Sequence, residues 1–471
     1  MTLIVTHLLG ITSFGLLAAI RYLGHVNHIL KQTPQEVCQL SSKPWAPARL
    51  SETYAAIEKS PIDLYKSLPT RLNRRYIITG GNGLVGGYVV LQLLARGTPP
   101  KSIRIVDIRE TERDDMRIGL AAKVDFLQTD ITSITSTERS FNKPWDSSVK
   151  DLPLTVFHTA AVIVPSARSK HLYEFLQAVN VQGTKNVLAA SRAVGATVFS
   201  STSSASICVW PVDPFVSPWA TEPRNYWQVL DVRDFSEPLR RHEDYFGNYS
   251  ASKAAAERLR MGYMDIRQTI LLVFYFLKAF TTRLPHIVQN FVHGANVAIA
   301  HLHHEAVLAT GDCQQAGKPF VVTDPGPLIT FGDLYMAVKT LSIHRFRTAL
   351  VPPVMMLLLS VVVEWYILLP YRFLALGRLL PELKGDIRKL QPAIFSICTH
   401  LIASDPEARR PVNEGGIGYE GIVTTFEVVV MEIVDWNSEH LKDPDERRRK
   451  RYTSSVSLVE KLQAFGSVAR L

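Results

Sequence analysis

Cysteine is scarce in this chain, and its basic residues form no aromatic-rich patch. The 471 residues include four cysteines, far apart and in no metal-ligand spacing, so the sequence predicts neither a disulfide framework nor a zinc site. They are Cys38, Cys208, Cys313 and Cys398. The net charge is +9, but apart from the run Arg447–Arg451 the lysines and arginines are scattered and not interleaved with aromatic residues, which argues against nucleic-acid binding. Reduced thiols indicate a protein that faces the cytosol.

Charge is also absent near the N-terminus. Residues 3–20 carry no charged side chain, and this length is just enough for a helix to cross a bilayer. Arg21 and Lys31 follow the stretch, whereas no lysine or arginine precedes it, so the C-terminal side is expected in the cytosol. The alternative is a secretory signal peptide, but its basic first region is missing. We therefore interpret residues 1–24 as a retained membrane anchor.

A second apolar segment covers residues 354–369, between Pro353 and Pro370. Glu364 lies near its middle, which is costly for a helix that spans a bilayer. We interpret the segment as a helix that lies in the membrane interface or packs on the protein. A second membrane span is the alternative.

Three glycines follow a short apolar strand that is predicted over residues 76–79. Gly80, Gly83 and Gly86 are three residues apart, and a helical pattern of apolar residues begins among them. A strand that turns sharply into a helix directs free backbone N–H groups and the positive end of the helix dipole at one point, which suits a pyrophosphate. A Cβ would obstruct the turn and the approach of the phosphates. Glycine triplets also occur in ordinary loops, so this pattern alone leaves dinucleotide binding open.

An acidic residue ends the next predicted strand, 103–107. Asp107 lies about twenty residues beyond the last glycine, where a carboxylate can accept hydrogen bonds from an adenosine ribose and repel a 2′-phosphate. The pattern therefore predicts NAD rather than NADP, although Arg109, two residues on, weakens the preference. The alternative for Asp107 is an ordinary turn carboxylate at a strand end.

Strands and helices continue to alternate further along the chain. Strands are predicted over residues 124–127, 154–158 and 197–201, with a long helix over residues 171–194. Repeated β–α units of this kind predict an α/β fold with a parallel, doubly wound sheet. Its ligand is expected at the carboxyl ends of the strands.

Small or polar residues follow three of these strands. Asp130 comes after the third strand, where a carboxylate can meet the adenine amine. Ala160 lies in a His-Thr-Ala-Ala run after the fourth strand, where small residues let the backbone pass beneath a flat cofactor. An ordinary tight turn explains that run equally well. Ser204 follows the fifth strand.

A tyrosine and a lysine lie four residues apart at the start of another predicted helix. Tyr249 and Lys253 therefore share one helix face, which sets an ammonium beside a phenol whose ordinary pKa is about 10. The cation, with the positive nicotinamide of bound NAD, would favour the phenolate, a general base towards an alcohol. Ser204 can hold the same alcohol oxygen. Asn248 completes a glycosylation sequon with these residues, which we interpret as chance.

These features, in this order, resemble the extended short-chain dehydrogenases, over roughly residues 74–260. The resemblance is carried by TGGNGLVGG, the Asp107 strand end, HTAA, NVQGT, TSSASI and YSASK. The TSSAS strand end, the N-terminal apolar segment and the hydrophobic C-terminal lobe look most like 3β-hydroxysteroid dehydrogenases and sterol-4α-carboxylate 3-dehydrogenases. The resemblance implies Tyr249 as proton acceptor, Lys253 as its partner and nicotinamide-ribose ligand, and Ser204 as the third catalytic group. The predicted cofactor contacts are Gly80, Gly83, Leu84, Val85, Gly86, Asp107, Asp130, Ile131, Ala160, Asn180, Tyr249 and Lys253.

Two stretches depart from the family pattern. Family members carry Leu-Arg-Pro and a Tyr-Gly loop on a sixth strand, but no Arg-Pro follows the strand predicted over residues 269–276. The chain passes almost directly to residues 285–300, which resemble a later family helix. Part of the substrate and nicotinamide wall is therefore shortened, by divergence or by an error in the gene prediction. The Trp- and Pro-rich interval between Ser204 and Tyr249 is either a lid over an apolar substrate or a surface insertion.

We therefore expect a Rossmann-type α/β fold with a smaller, mostly helical C-terminal substrate lobe and an N-terminal membrane-anchor helix. The expected units are the anchor 1–24, a linker 25–73 with one short helix, the NAD-binding domain 74–282 with the catalytic helix, the substrate lobe 283–440 and a charged tail 441–471. The cofactor and partner predictions are NAD, a membrane and no nucleic acid or metal, and a homodimer is compatible with these features.

The expected activity is NAD-dependent oxidation of the 3β-hydroxyl of a sterol, steroid or related terpenoid, with or without loss of CO₂ from C4. One alternative is a 3β-hydroxy-Δ5-steroid dehydrogenase that also isomerises the double bond, and another is a ketoreductase. An alternative of another class is a catalytically impaired, NAD-binding membrane protein. The expected location is a membrane, that of the endoplasmic reticulum, with the catalytic domain in the cytosol.

Overall fold

The strands and helices of the computed structural model follow the predicted β–α alternation. It describes residues 2–261, 267–272, 284–311, 314–343, 351–374 and 379–441. The strands are β1 (Arg75–Thr79), β2 (Ile103–Asp107), β3 (Asp125–Gln128), β4 (Leu154–His158), β5 (Ala196–Thr202), β6 (Trp227–Leu230), β7 (Arg267–Leu272), β8 (Val288–Gln289), β9 (Pro319–Val321), β10 (Ile329–Thr330) and β11 (His400–Ala403). The helices are α1 (Thr2–Ile29), α2 (Gln35–Leu40), α3 (Pro47–Lys59), α4 (Leu84–Ala95), α5 (Ile134–Asn142), α6 (Glu174–Leu176), α7 (Thr184–Ala193), α8 (Arg233–Ser236), α9 (Asn248–Met261), α10 (Gly294–Ala309), α11 (Phe331–Leu341), α12 (Pro353–Arg372), α13 (Ala393–Ser396), α14 (Pro406–Arg409) and α15 (Thr425–Leu441).

Seven strands form one parallel sheet in the order β3-β2-β1-β4-β5-β7-β9. Its strands are nearly continuous apolar runs because helices cover both faces: Ile78 packs with Val89 and Val90 of α4, and Ile77 with Val187 of α7. The strand order reverses between β1 and β4, which opens a crevice at the carboxyl ends of the strands. The predicted doubly wound parallel sheet is confirmed.

The sixth strand of this sheet is β7. It pairs in parallel with β5 on one side and β9 on the other, as a Rossmann-type sheet requires. The remainder of the strand predicted over residues 269–276, and the connection up to residue 284, lie outside the described residues. The predicted shortening of the substrate and nicotinamide wall in this region therefore stays a prediction.

A second, four-stranded sheet joins segments that are far apart in the sequence. Its order is β10-β8-β11-β6, and β11 pairs in parallel with both β8 and β6. Because β6 belongs to the Trp- and Pro-rich interval, this interval is fixed in the sheet by backbone pairing. β9 is the last strand of the first sheet, and α10 packs against that sheet, although both lie beyond residue 282. The predicted domain boundary there stays a prediction.

The predicted linker, residues 25–73, contains more helix than the sequence indicates. Both α2 and α3 lie in it, and α3 is longer than one short helix. Leu50 and Ile57 of α3 are buried in a cluster with Leu334 of α11 and Val430 of α15. These partners are distant in the sequence, and tertiary packing rather than local periodicity stabilises the helix.

The N-terminal helix α1 changes character along its length. Its last third is held by the protein, since the Tyr22 hydroxyl donates to the Val216 carbonyl at 2.9 Å and Val26 is buried in a cluster with Val354 of α12. Earlier residues expose large apolar side chains. They are Ile11, Phe14, Leu16, Leu17 and Ile20. Exposed apolar surface of this kind is typical of a membrane contact, and the anchor stays a prediction.

Helix α12 carries apolar residues on both faces. Val354, Leu357 and Val363 are buried against the protein. The exposed residues are Met355, Leu359, Val361, Val362 and Trp365. Within the described part of the chain, α12 is the helix that is long and apolar enough to cross a membrane. Glu364 pairs with Arg168, so the charge that makes a membrane span costly is turned towards the protein.

Candidate active site

The connection from β1 to α4 brings the three predicted glycines together. Gly80 has a φ of +73°, in the left-handed region that favours glycine, and a Cβ there would lie 2.7 Å from the Ala160 backbone nitrogen. A Cβ at Gly86 would collide with the Gly80 carbonyl, and one at Gly83 would lie 3.1 Å from the same oxygen. The turn therefore has no room for side chains, and Ala160 from the end of β4 lies against it.

This turn leaves the N-terminus of α4 open. Gly83 is the N-cap residue and has no side chain with which to bond the first-turn amides. The N–H groups of Leu84, Val85 and Gly86 have no intrahelical carbonyl partner, because they belong to the first turn. Together with the helix dipole they make a positive cradle for an anion. The cradle has the chemistry that a pyrophosphate requires.

Asp107 ends β2 directly beside the glycine turn. Its Oδ2 accepts the backbone N–H of Asn82 at 3.0 Å, and its Oδ1 accepts that of Arg109 at 3.1 Å. Burial raises the pKa of the carboxyl, and these backbone hydrogen bonds oppose the rise. Asp107 therefore stabilises the turn after β2, as expected for an ordinary turn carboxylate at a strand end. It also contacts the glycine turn through the Asn82 N–H.

Asp130 and Ile131 follow β3, beyond Asp107 in the sheet. Asp130 is exposed, and its Oδ1 accepts hydrogen bonds from the Thr132 N–H at 2.9 Å and the Thr132 hydroxyl at 2.8 Å. Ile131 is buried against Gly183, where a Cβ would lie 2.8 Å from its side chain. Ile131 thus has a packing role of its own. The contact of either residue with a cofactor stays a prediction.

Ser204, Tyr249 and Lys253 meet at the end of β5. The Ser204 hydroxyl is near enough to Tyr249 to lower the pKa of its phenol, and the Lys253 Nζ donates to the Thr202 carbonyl at 2.8 Å. Tyr249 and Lys253 lie on successive turns of α9, and all three predicted catalytic residues are buried. β5 is separated from β1 by β4 alone, so these residues and the glycine turn share one edge of the sheet.

The pKa of Tyr249 is raised to about 12, whereas the sequence predicts a phenol made acidic by Lys253. Burial is the main cause, because a phenolate in apolar surroundings loses its hydration, and the Ser204 hydrogen bond opposes the rise. The Lys253 ammonium is engaged by the Thr202 carbonyl and does not offset the burial. Tyr249 is therefore neutral in the protein alone, and a further positive charge beside it is needed to lower its pKa.

Apolar side chains surround Tyr249. Val162 and Leu176 are buried with it, and residues of the loop after β4 and of the next helix are half-buried beside them. The latter are Ile163, Val164, Tyr173, Phe175 and Val179. Such a wall suits an apolar ring system better than a sugar.

Asn180 lies in a π-helical segment, Gln177–Gly183, which interrupts the long helix predicted over residues 171–194. Its amide oxygen accepts the Val162 N–H at 2.8 Å, and its amide nitrogen donates to the Val162 carbonyl and the Ser252 hydroxyl, both at 2.9 Å. Asn180 therefore ties the loop after β4 to the catalytic helix. Single π-helical turns of this kind are frequent at functional sites.

The sequence predictions missed four buried polar residues beside the site. The Ser203 hydroxyl donates to Glu257 of α9 at 2.5 Å, and the Thr202 hydroxyl is hydrogen-bonded to His301 of α10 at 2.8 Å. Glu257 is four residues beyond Lys253, so helical spacing is a signal that would have placed it on the same face. His301 has no local signal, because α10 reaches β5 only through the tertiary fold.

The predicted sequon at Asn248 is buried. Its side-chain amide donates to the Ser169 carbonyl at 2.8 Å, and its oxygen is hydrogen-bonded to His242 at 2.8 Å. A glycan cannot be attached to this amide in the folded chain. Its interpretation as a chance match agrees with the structure.

Comparisons with known proteins agree with this geometry. Residues 77–261 match the 3-beta hydroxysteroid dehydrogenase/isomerase family. A 3 beta-hydroxysteroid dehydrogenase/Delta 5→4-isomerase of Mycobacterium tuberculosis is 33% identical over 144 residues, which are 30% of this chain and 34% of that protein. A decarboxylating sterol-4-alpha-carboxylate 3-dehydrogenase of Bos taurus is 27% identical over 277 residues, 54% of this chain and 66% of that protein. The chain thus spans between about a third and two thirds of the length of these curated relatives.

A solved structure gives the same picture of the fold. A UDP-glucose 4-epimerase has a TM-score of 0.50 and 14% identity, over 78% of this chain and 99% of the epimerase. At this identity the likeness shows the fold alone. The glycine turn and the Ser204–Tyr249–Lys253 group lie within residues 77–261, the part of the chain that matches the 3-beta hydroxysteroid dehydrogenase/isomerase family.

Proposed function

We propose that this chain is a membrane-associated, NAD-dependent dehydrogenase that oxidises the 3β-hydroxyl of a sterol, steroid or related terpenoid. The observation that carries the proposal is the meeting of Ser204, Tyr249 and Lys253 at the sheet edge that also bears the glycine turn. Two adjacent hydroxyls can bind the oxygen of an alcohol and accept its proton. The two relatives support the substrate class, because their names are those of dehydrogenases that act on 3β-hydroxysteroids and on sterols.

NAD suits the residues at the glycine turn, and it supplies the hydride acceptor when it is bound. The glycines and the N-terminus of α4 would hold the pyrophosphate, and Asp107 the adenosine ribose. Asp130 would meet the adenine, and Lys253 the nicotinamide ribose. Asp107 favours NAD over NADP, because a carboxylate repels a 2′-phosphate.

The chain's own residues then handle the alcohol and its proton. Ser204 hydrogen-bonds the substrate oxygen, and Tyr249 accepts the hydroxyl proton. The pKa of Tyr249, about 12 in the protein alone, must fall for this transfer to run near neutral pH. That fall needs the positive charge that bound NAD would add beside Lys253, which lies on the next turn of α9. The apolar wall around Tyr249 excludes water and receives the rings of the substrate.

The proposal includes work at a membrane. The exposed apolar residues of α1 and α12 support it, and a water-insoluble alcohol is most accessible at a bilayer. Arg21 and Lys31, which follow the apolar stretch of α1, support a cytosolic catalytic domain, and we propose the endoplasmic reticulum as the membrane. The pairing of Glu364 with Arg168 supports an α12 that lies on the bilayer rather than across it.

Turnover by the purified full chain tests the proposal. The protein in detergent is incubated with NAD and a panel of 3β-hydroxysteroids, and NADH formation is followed by absorbance. We expect NADH with at least one steroid and none with the 3α-epimers. A UDP-hexose serves as the matched control, because the solved epimerase shares only the fold. Absence of NADH with every sterol would contradict the proposal.

The same assay separates the alternatives. Loss of CO₂ from a substrate with a C4 carboxylate, measured by mass, indicates a decarboxylating enzyme, because the C3 ketone makes the β-keto acid unstable. A product with a Δ4-3-ketone indicates the dehydrogenase/isomerase, and consumption of NADH by a 3-ketone indicates a ketoreductase. NAD binding without turnover of any steroid indicates the catalytically silent protein.

A further inference from the structure

The exposed helix α12 is tied to the loop between β4 and α6. Arg168 of this loop donates two hydrogen bonds to Glu364, from Nε at 2.8 Å and from Nη2 at 2.7 Å. A paired contact of this kind fixes both distance and orientation. The Glu364 side chain is only 12% exposed, so the pair is partly shielded from solvent. A second contact stacks His171 on Tyr371, with ring centroids 5.4 Å apart.

The other side of the same loop holds the start of the catalytic helix. The backbone N–H of Asn248 donates to the Ala167 carbonyl at 2.8 Å, and its side-chain amide donates to the Ser169 carbonyl at 2.8 Å. A Cβ at Gly247 would lie 3.1 Å from the same Ala167 oxygen, so loop and helix start are in close contact. Asn248 immediately precedes Tyr249. The residue between Ala167 and Ser169 is Arg168, which bonds α12.

The outer face of α12 fits a lipid bilayer. Val362, Trp365 and Phe373 are more than half exposed, at 61%, 58% and 56%. α1 packs against α12, and its own exposed apolar residues extend this surface beyond one helix. Arg372 in the last turn of α12 supplies a cation of the kind that favours anionic headgroups. Apolar residues over two helices with a basic end indicate a membrane surface as the partner.

We propose that the Arg168–Glu364 pair couples the docking of α12 on a bilayer to the position of Tyr249, and that a sterol enters from the bilayer between α12 and this loop. The inference rests on the proposed function for its substrate. Arg168 and Glu364 act as positioning residues, because their contact reaches Tyr249 through the loop and Asn248. The inner side of the loop, from Val162 to Val164, belongs to the apolar wall around Tyr249, so the proposed entry leads to an apolar surface.

Hydrogen exchange of the full chain tests the coupling without relying on turnover. Amide exchange of residues 161–175 is measured with and without phosphatidylcholine vesicles that contain phosphatidylserine. We expect the vesicles to slow exchange in the wild type, because a docked α12 restrains the loop through Arg168. Arg168→Gln and Glu364→Gln should lose this protection, while vesicle flotation persists. The matched control is Lys101→Ala, which removes an exposed pair with Asp146 remote from α12.

Kinetics provide the second measurement. Each single variant should raise the KM for a steroid presented in vesicles about fivefold, which corresponds to the free energy that one partly shielded ion pair contributes. The KM for NAD should stay unchanged. The double variant R168E/E364R restores an ion pair of opposite polarity. It should therefore recover most of the vesicle protection and most of the wild-type KM for the steroid. Unchanged vesicle protection in Arg168→Gln, or a double variant no better than the single ones, would overturn the coupling. If no steroid is turned over but the exchange results hold, the proposed function fails and the coupling stands.

Discussion

The Glu257 carboxylate accepts a hydrogen bond from the Ser203 hydroxyl at 2.5 Å, two turns along α9 from Tyr249. Tyr249 lies beside Ser204, the residue after Ser203, and Lys253 donates to the carbonyl of Thr202, the residue before it. Three successive turns of one helix therefore hold three successive residues at the end of β5. This arrangement sets the position of Ser204 relative to Tyr249.

Replacing Glu257 tests this arrangement. Glu257→Ala should lower kcat about tenfold, because a buried hydroxyl loses its charged partner and the strand end is released. Glu257→Gln keeps an acceptor of the same shape and should retain most of the activity. The KM for NAD should not change in either variant. Wild-type kcat in a folded Glu257→Ala variant would show that Ser204 is positioned without it.

The glycine turn gives a second prediction. Gly80→Ala should abolish NAD binding, because the new Cβ would lie 2.7 Å from the Ala160 backbone and φ is positive. Gly119→Ala is the matched control, since Gly119 also has a positive φ but a Cβ there meets nothing within 4 Å. Both variants should lose about 1–2 kcal/mol of stability from the left-handed backbone alone. Calorimetric titration with NAD measures the difference, and equal affinity in the two variants would contradict the cradle.

Cofactor preference depends on Asp107. Asp107→Ser removes the carboxylate that repels a 2′-phosphate, and it should shift the ratio of kcat/KM for NADP over NAD upwards about tenfold or more. Arg109 should then support the phosphate, because its Nε is buried without a hydrogen-bond partner in the described residues. Adding Arg109→Ala in the same background should reverse the gain. An unchanged ratio in Asp107→Ser would show that the preference has another source.

Buried histidines predict a loss of stability in acid. Burial lowers the pKa of His301 and of His400 to about 3 and that of His293 to about 4, from an ordinary 6.5. The unfolded chain therefore takes up protons first, so this stabilisation is complete above pH 6.5 and is lost as pH falls towards 3. Each group contributes a slope of about 1.4 kcal/mol per pH unit.

Urea unfolding at several pH values measures this slope. His301→Gln should flatten the decline in unfolding free energy between pH 6 and pH 4, because one group that must be charged on unfolding is removed. Substitution of the exposed His28 is the control and should leave the slope as it is. A wild type whose stability does not fall in this range would contradict the buried, neutral state of these rings.

Local patterns predicted the nucleotide-binding half of the fold well. The strand ending in Asp107 and the strand before Thr159 have the predicted bounds, because each is an apolar run bounded by turn residues. The glycine turn and the Tyr249–Lys253 pair could also be recognised from the sequence. Their chemistry depends on residues that are close in the sequence, so spacing alone carries the signal.

Distant contacts were not predictable in the same way. Arg168 and Glu364 are 196 residues apart, and Leu50 packs with Val430 across most of the chain. Local periodicity has no information on such pairs. The rise in the pKa of Tyr249 in the protein alone was not predictable for the same physical reason: it comes from burial beside Val162 and Leu176, which only the tertiary fold reveals.

The central claim is tested most directly by the turnover number of Tyr249→Phe with NAD and a 3β-hydroxysteroid. The variant removes only the hydroxyl that accepts the alcohol proton, so we expect kcat to fall by about 10²–10⁴-fold with an unchanged affinity for NAD. Tyr245→Phe, four residues earlier on the approach to the same helix, is the matched control and should keep wild-type kcat. A Tyr249→Phe enzyme that oxidises the steroid as fast as the wild type would contradict the account.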